Sequence, residues 1–374
     1  MHRNATNGLL ELERGSGMEH RRCVNAAILG FAHGHVNGYI EEWRRNEDYG
    51  IRVATGWDHD RTRLAQAAEA HGLEACTDVE ALLARPDVHA VVIASETSLH
   101  AELVVQAAAA GKAIVLQKPM ALTSAEADMM VEAVKRYGVP FTMAWQMRVD
   151  PQNAKMKALL DEGRLGRAFT VRRRHGLSVG LQPAFADSWH VDPKLNRDIW
   201  ADDASHPVDF LLWLLGEPES VTAEIESLHH PRIPMDNGVA LFRYPGGPLA
   251  EVNCSFTCAA AENTTEIVCE KGTIVQNFGD AVSCNVPRAP GAPGLRWYST
   301  EEGRWIDSGI ETPETHFARI RALAEPLAAF LRGERGPIAT AEEGRTALRM
   351  VLATYVSARE GRRVRLDDAA IESV

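Results

Sequence analysis

Three short segments hold the side chains able to do chemistry. Residues 113–116 run Ala-Ile-Val-Leu and stop in Gln117-Lys118-Pro119. A lysine at the mouth of a buried strand, followed at once by a proline ring, reads as a positioned ammonium. The second segment, Gly30-Phe31-Ala32-His33-Gly34-His35, is a glycine-containing turn behind an apolar stretch. The third runs from Asp202 to Asp209 and sets a carboxylate, Asp202, four residues ahead of an imidazole, His206. Together they point to a nicotinamide cofactor, a lysine beside it and a histidine that moves a proton.

Oxidising a secondary alcohol removes a hydride from carbon and a proton from oxygen. A nicotinamide takes the hydride. A base with a pKa near neutrality takes the proton, and histidine starts there. A fixed ammonium stabilises the developing alkoxide. His206 is therefore read as general base, Lys118 as electrostatic stabiliser and relay partner, and Asp202 as the group that orients His206 or a substrate hydroxyl. The His and Lys roles can exchange. On a helix, a spacing of four puts Asp202 and His206 on one face, but the ring of Pro207 would collide with the carbonyl of residue 203 inside a regular helix. The plainer readings stand beside these: a surface lysine before a proline, and a helix cap at residues 203–207.

The elements that must position these groups alternate from about residue 23 to 142. Apolar strands are expected at 24–29, 51–56, 88–94, 113–116 and 141–144, with helices at 36–45, 60–71, 79–83, 99–110 and 124–137. Such βα repeats with continuously apolar strands predict a doubly wound parallel sheet covered on both faces, a Rossmann arrangement. In it the turn from Gly30 to His35 lets pyrophosphate approach backbone N–H groups at a helix N-terminus. The full fingerprint wants glycine at 32 and a small residue at 35, where this chain has Ala32 and His35. Asp58, at the end of the second strand, is the candidate acceptor for the adenosine ribose hydroxyls, which favours NAD. Arg61 nearby keeps NADP possible. Ser95, Thr97 and His100 follow the fourth strand and face the same cleft.

After about residue 145 the pattern changes. Helices are expected at 155–162, 208–215, 314–332 and 341–359. A strand at 168–174 and alternating strands at 221–227, 238–244, 250–256, 266–270 and 272–275 predict an α+β domain with a large, mostly antiparallel open sheet. Residues 285–296 read as a Pro- and Gly-rich loop. The expected division is a disordered lead-in over 1–20 (with Met18 a candidate start), a dinucleotide-binding domain over 21–144 and a substrate-binding and oligomerisation domain over 145–374.

The chain has 374 residues, 45% hydrophobic, a net charge of −11 and a pI near 5.7. That size supports two cores. The acidic balance argues against nucleic acid or an anionic membrane as partner. Arg172-Arg173-Arg174-His175 is read as a strand with alternating faces, leaving one inward arginine to meet an acidic substrate group. Six cysteines with no Cys-x-x-Cys pair fit reduced thiols in the cytoplasm, with no metal site. No apolar run reaches the ~20 residues of a membrane span.

At this point the chain resembles the glucose–fructose oxidoreductase/inositol dehydrogenase (Gfo/Idh/MocA) family. The matching stretches are residues 90–100, Ala109-Ala110-Gly111-Lys112, Gln117-Lys118-Pro119, Gln146-x-Arg148-x-x-Pro151, Trp189-x-x-Asp192-Pro193, Asp202-x-x-x-His206-x-x-Asp209 and Ala358-Arg359-Glu360-Gly361-Arg362. They span roughly 23–366. The resemblance implies a lysine, Lys118, beside the nicotinamide with Gln117, a cis peptide before Pro119, and Asp202 and His206 on substrate. It also implies oligomerisation, as dimer or tetramer, through a sheet face. Two departures stand out: Gln117 replaces a glutamate, and residues 196–200 replace a glycine-rich stretch. The resulting expectation is an NAD(P)-dependent dehydrogenase of a sugar, glycoside or cyclic polyol, with Gln146, Arg148, Trp189 and His190 as further substrate contacts. Trp145 and Trp200 are candidates to pack on sugar faces, and Lys194 and Arg197 to meet an acidic sugar. Competing readings are a non-catalytic sensor, a metal-dependent lyase using His190, Asp202 and His206, and an enzyme that recycles tightly bound NAD without net redox change.

Overall fold

The computed structural model describes residues 23–259, 263–277, 291, 293–313 and 315–374. The lead-in expected over residues 1–20 and most of the loop expected over 285–296 lie outside the described residues.

The first sheet is built from β1 (Val24–Leu29), β2 (Ile51–Trp57), β3 (Glu74–Cys76), β4 (Ala90–Ile93), β5 (Ala113–Leu116) and β6 (Phe141–Met143). Its order is β3-β2-β1-β4-β5-β6, and every pair is parallel. β4 is wholly buried and β1 and β5 nearly so, because helices cover both faces. Those helices are α1 (His35–Arg45), α2 (Arg61–His71), α3 (Val79–Leu83), α4 (His100–Ala109) and α5 (Ser124–Tyr137). Their starts follow local chemistry. Asp60 and Asp78 cap α2 and α3, and Thr123 with Glu126 closes a capping box on α5. The strand order reverses between β1 and β4, which opens a crevice at their carboxyl ends.

The chain then forms α6 (Pro151–Asp161), β7 (Ala168–Gly176) and α7 (Ser205–Leu215). Next come β8 (Ser220–Glu226), β9 (Asn237–Arg243), β10 (Leu249–Ser255), β11 (Asn263–Cys269) and β12 (Gly272–Gln276), then β13 (Leu295–Ser299) and β14 (Arg304–Asp307). It ends in α8 (His316–Arg321), α9 (Ala324–Leu331), α10 (Ala341–Glu360) and β15 (Val364–Arg365). The second sheet has nine strands, ordered β14-β13-β12-β11-β7-β10-β9-β8-β15. It is antiparallel except where β7 pairs with β10.

Three expectations change. The helix expected over 314–332 is two helices, α8 and α9. β3, β13, β14 and β15 had no expected counterpart; each is short or an edge. The C-terminal helices also return to the first sheet: the indole of Trp43 on α1 donates to Ala324 O at 2.8 Å. Among the described residues no helix is long and apolar enough to cross a membrane.

The structure gives Arg148 a different place from the substrate contact expected of it. Its Nε and Nη2 bind both oxygens of Asp209 on α7 at 3.0 and 2.8 Å, and its Nη1 reaches Glu343 on α10 at 2.6 Å. All of its donors point into the protein. The pair is buried, so removing one partner strands a charge. Arg148→Met is expected to lower unfolding free energy by about 3–5 kcal/mol while the KM for an oxidised polyol stays unchanged. Urea unfolding and steady-state kinetics check both parts; a raised KM without a loss of stability would restore the substrate-contact reading.

Candidate active site

The glycine turn crosses the end of β4 at close range. Gly30 has φ +88°, and a Cβ there would lie 2.4 Å from Ser95 Cα, so only glycine fits. Gly34 is the N-cap of α1, and no atom lies within 4 Å of where its Cβ would be. No side chain caps α1 and no acidic residue occupies its first turn. A helix end of this kind, opening on a crevice at the switch point, has the form of a dinucleotide phosphate site. Ala32 O accepts a hydrogen bond from the Trp189 indole at 3.2 Å, so the β7–α7 connection reaches onto the turn.

Asp58 is fully buried beside this turn. Its oxygens accept from Phe31 N, Asp60 N, and Arg63 Nε and Nη2, at 2.7–2.9 Å. Arg63 also meets Glu96 at 2.9 Å, and Glu96 meets His59 at 3.0 Å. The arginine that pairs with Asp58 is therefore Arg63, not Arg61, whose guanidinium turns away to Thr77 O. α2 starts at Arg61, so its third residue, not its first, faces back over Asp58.

Several of the expected cofactor contacts have hydrogen-bond partners within the protein. His100 is buried under the turn after β5, its Nδ1 3.0 Å from Pro119 O and 3.2 Å from Met120 O. The Lys118–Pro119 peptide is cis. The Gln117 amide donates to Tyr39 OH at 2.8 Å, on the α1 side of β5 and away from Lys118. Thr97 Oγ1 donates to Asn196 Oδ1 at 2.6 Å. Ser95 Oγ donates to Glu96 O at 3.1 Å.

Lys118 emerges from β5 and meets Asp202 across the junction of the two sheets. Nζ lies 2.6 Å from Asp202 Oδ1, with both side chains about 95% buried. Asp202 sits in Trp200–Ala204, a π-type turn that runs directly into α7. Pro207 falls in the first turn of α7, where its missing N–H costs little, and the wider turn before it relieves the expected collision. His206 follows, buried, with its ring 5.5 Å from Trp145 and 5.7 Å from His175. The structure thus pairs Lys118 with Asp202, and His206 lies one turn further along the segment that carries Asp202.

Sequence reading missed a second acid–base pair. His175 Nε2 lies 3.2 Å from Asp203 Oδ2, and Cys254 donates its thiol to the same oxygen at 3.4 Å. Burial raises the Asp203 carboxyl, but His175 and the Lys118 charge outweigh it and hold the group below the usual carboxylate range. The signal was present: alternation along β7 puts Arg173 and His175 on the same inward face. Arg173 is spent on Thr265 and Gln276, at 2.6 and 3.0 Å, and burial lowers it to about 9.

Trp145 and His175 flank His206, and His190 feels the charges of Asp202 and Lys118; Trp145 Nε1, His175 Nδ1 and His190 Nδ1 are buried with no hydrogen-bond partner in the protein, as is Gln146 Oε1. His190 stacks on Trp189 at 4.0 Å. Trp200 is a core residue, bonded to Thr354 at 2.8 Å. Arg197 donates to Leu122 O at 2.6 Å, and Lys194 is exposed. Among the described residues no three His, Cys, Asp or Glu side chains are arranged to hold a metal ion.

A parallel sheet with a bare helix end at its switch point and an ammonium beside it define a nicotinamide-dependent oxidoreductase. Comparison with known proteins agrees. Residues 24–145 match the model of an oxidoreductase family with an NAD-binding Rossmann fold, and residues 153–275 match the GFO/IDH/MocA C-terminal domain. The inositol 2-dehydrogenase of Streptomyces avermitilis is 32% identical over 279 residues, covering 72% of this chain and 77% of that one. The D-apiose dehydrogenase of Paraburkholderia graminis is 28% identical over 353 residues, covering 90% and 88%. A solved levoglucosan dehydrogenase, in complex with NADH and L-sorbose, shares the fold with a TM-score of 0.79 at 20% identity, over 93% of this chain and 100% of that one. The chain belongs to the GFO/IDH/MocA family, and it is an NAD-dependent dehydrogenase acting on CH–OH groups.

The buried support under the lysine turn carries a pH signature. Burial lowers His100 from 6.5 to about 4, against backbone hydrogen bonds that pull it up. The unfolded chain therefore takes the proton first as pH falls. His100 alone is expected to cost about 3 kcal/mol of stability between roughly pH 6.5 and pH 4. Denaturant unfolding of wild type and His100→Asn checks this: the variant should show the shallower loss on acidification, and equal slopes would sink the assignment.

Proposed function

We propose that this enzyme oxidises a secondary alcohol of a sugar, glycoside or cyclic polyol, with His206 as general base and Lys118 as electrostatic stabiliser. The observation that carries the reading is the buried Lys118–Asp202 pair, 2.6 Å apart, on the segment that leads into His206, whose ring lies near the unmet polar atoms of Trp145 and His175. A polyhydroxylated ligand supplies the donors and acceptors that Trp145 Nε1, Gln146 Oε1 and His175 Nδ1 lack. The nicotinamide supplies the hydride acceptor.

Each residue then has a task set by its surroundings. Asp202 fixes the lysine ammonium, so the charge meets developing alkoxide without reorganising. His206 accepts the hydroxyl proton. Trp145 closes one side of it and excludes water. The turn from Gly30 to His35 receives the pyrophosphate, and the Asp58–Arg63 pair faces the adenosine ribose. Ser95 and Thr97 border the same crevice, and Trp189 with His190 covers it. We assign residues 21–144 to cofactor binding and 145–374 to substrate binding and assembly. The outer face of the nine-stranded sheet, where Val239, Leu241 and Leu249 are exposed, is the surface through which copies would associate. Free cysteines and an acidic surface fit a cytoplasmic enzyme.

Lys118→Ala and His206→Ala are each expected to lower turnover by about 10²–10⁴-fold with NADH binding retained. The assay is absorbance at the NADH band with sugars, inositols and glycosides, run with NAD and NADP in parallel. Wild-type turnover in either variant refutes the roles. No reduction with any polyol refutes the substrate class.

A further inference from the structure

His33 is a histidine that the protein leaves unsatisfied. Its ring is 3% exposed, and neither nitrogen has a hydrogen-bond partner in the protein. The backbone N–H donates to Ala94 O at 2.9 Å, which anchors the residue above the end of β4. The ring lies edge-on to that of His35, 4.3 Å away, with Trp189 at 6.2 Å and His190 at 6.3 Å. The groups that act on it most strongly are all basic: His35 on α1, Lys118 at the end of β5, His190 on the covering loop and His100 on α4. The Asp202 carboxylate is already committed to Lys118.

α1 starts two residues after His33, with Gly34 between them as its N-cap. It is eleven residues long and has neither a side-chain cap nor an acid in its first turn. A bare helix end attracts an anion. A buried imidazole with both nitrogens unmet costs about 1–3 kcal/mol for each lost partner, and a protonated one would satisfy an anion oxygen by a charge-assisted bond. The two features lie side by side and call for the same ligand.

We propose that His33, seconded by His35, makes the head of α1 a proton-coupled anion site, so that binding of the dinucleotide pyrophosphate takes up one proton on this imidazole pair. The proposal rests on the NAD assignment and is independent of the polyol reading. Without an anion, burial and then the neighbouring His35 keep His33 neutral, well below its usual value. With the anion in place the charged form is favoured. The sign follows: binding consumes a proton, so affinity rises as pH falls, by up to about tenfold per pH unit for one proton.

The test is calorimetric titration of the full chain with NADH, in phosphate-free buffers of different ionisation heat, between about pH 6 and pH 8. Wild type should take up close to one proton per NADH and bind at least about threefold more weakly at the upper end. In His33→Gln both effects should vanish, with His35→Gln intermediate. Inorganic pyrophosphate should compete with NADH and show the same proton uptake; reduced nicotinamide riboside, which has no phosphate, should show none. Should His33→Gln fail to fold, imidazole NMR of the wild type replaces it, and the His33 resonance must shift to the protonated form on adding NADH. NADH binding without proton uptake, or with uptake unchanged in His33→Gln, overturns the proposal and leaves the dehydrogenase reading intact. Absence of NADH binding overturns both. Proton-coupled NADH binding with no polyol oxidation supports the proposal and overturns only the substrate reading.

Discussion

The contact between Lys118 and Asp202 is the constraint on which the architecture turns. Two opposite charges, 84 positions apart in the chain, meet at 2.6 Å where almost no water reaches. Burying either alone would be prohibitive, and burying both is tolerable only with good geometry and well-placed neighbours. Each half of the molecule is arranged to meet that condition. β5 delivers the lysine from an all-parallel sheet, and His100 props the turn behind it. The π-type turn before α7 delivers the aspartate, and Ser205 holds that turn by donating to Asp202 O at 2.6 Å. The pair thus joins the two sheets, and in the proposed mechanism it also supplies the charge that meets the alkoxide.

The connection from β7 to α7 explains how the join is kept in register. It leaves the second sheet, crosses to the first and touches it at successive points: the Trp189 indole on Ala32, Asn196 on Thr97, the Leu195 carbonyl on Ser98 N at 3.0 Å, and the Arg197 guanidinium on Leu122. Arg197 has φ +69°, an uncommon conformation for a side-chain-bearing residue, at the point where the loop turns back towards Asp198 and the active-site aspartates. A glycine-rich stretch would make that turn without help. Here it is held by contacts, with Arg197 over the Tyr355 ring at 5.5 Å and Asp198 bonded to Tyr355. Burial lifts the Asp198 carboxyl to about 6, with its hydrogen bonds opposing. The loop that covers the cofactor turn is therefore ordered by α10, well away from the reaction.

Elements with a regular apolar period were legible in the sequence. β1, β5 and α5 fall where alternation and capping residues put them, because burial on both faces of a parallel sheet leaves no other reading for Val-Asn-Ala-Ala-Ile-Leu or Ala-Ile-Val-Leu. The convergence of residues 118, 202 and 206 was legible only through the spacing of motifs. What escaped was set by tertiary partners. Arg148 and Lys118 are both basic residues beside a motif proline, and nothing local says that one faces Asp209 and the other the crevice. Gln117 and Lys118 are adjacent on a strand end, so the pleat sends one to Tyr39 and the other to Asp202. Asp58 and Arg63 are five apart, and their bond depends on the N-cap at Asp60 setting the phase of α2.

The two adjacent aspartates show how the same logic reaches specificity. In a regular α-helix neighbouring residues point about 100° apart, and one of the two carboxylates would leave the site. The π-type turn widens that stretch, and both stay buried: Asp202 takes Lys118, and Asp203 takes His175 and Cys254. His175 then has its Nε2 fixed and its Nδ1 unmet, close to the His206 ring. A group held at one nitrogen and bare at the other discriminates strongly, since a ligand that leaves it unmet forfeits the full desolvation penalty. In the mechanism proposed above, Lys118 and His206 address the carbon that reacts. On the same reading, the Asp203–His175 pair addresses what stands beside it.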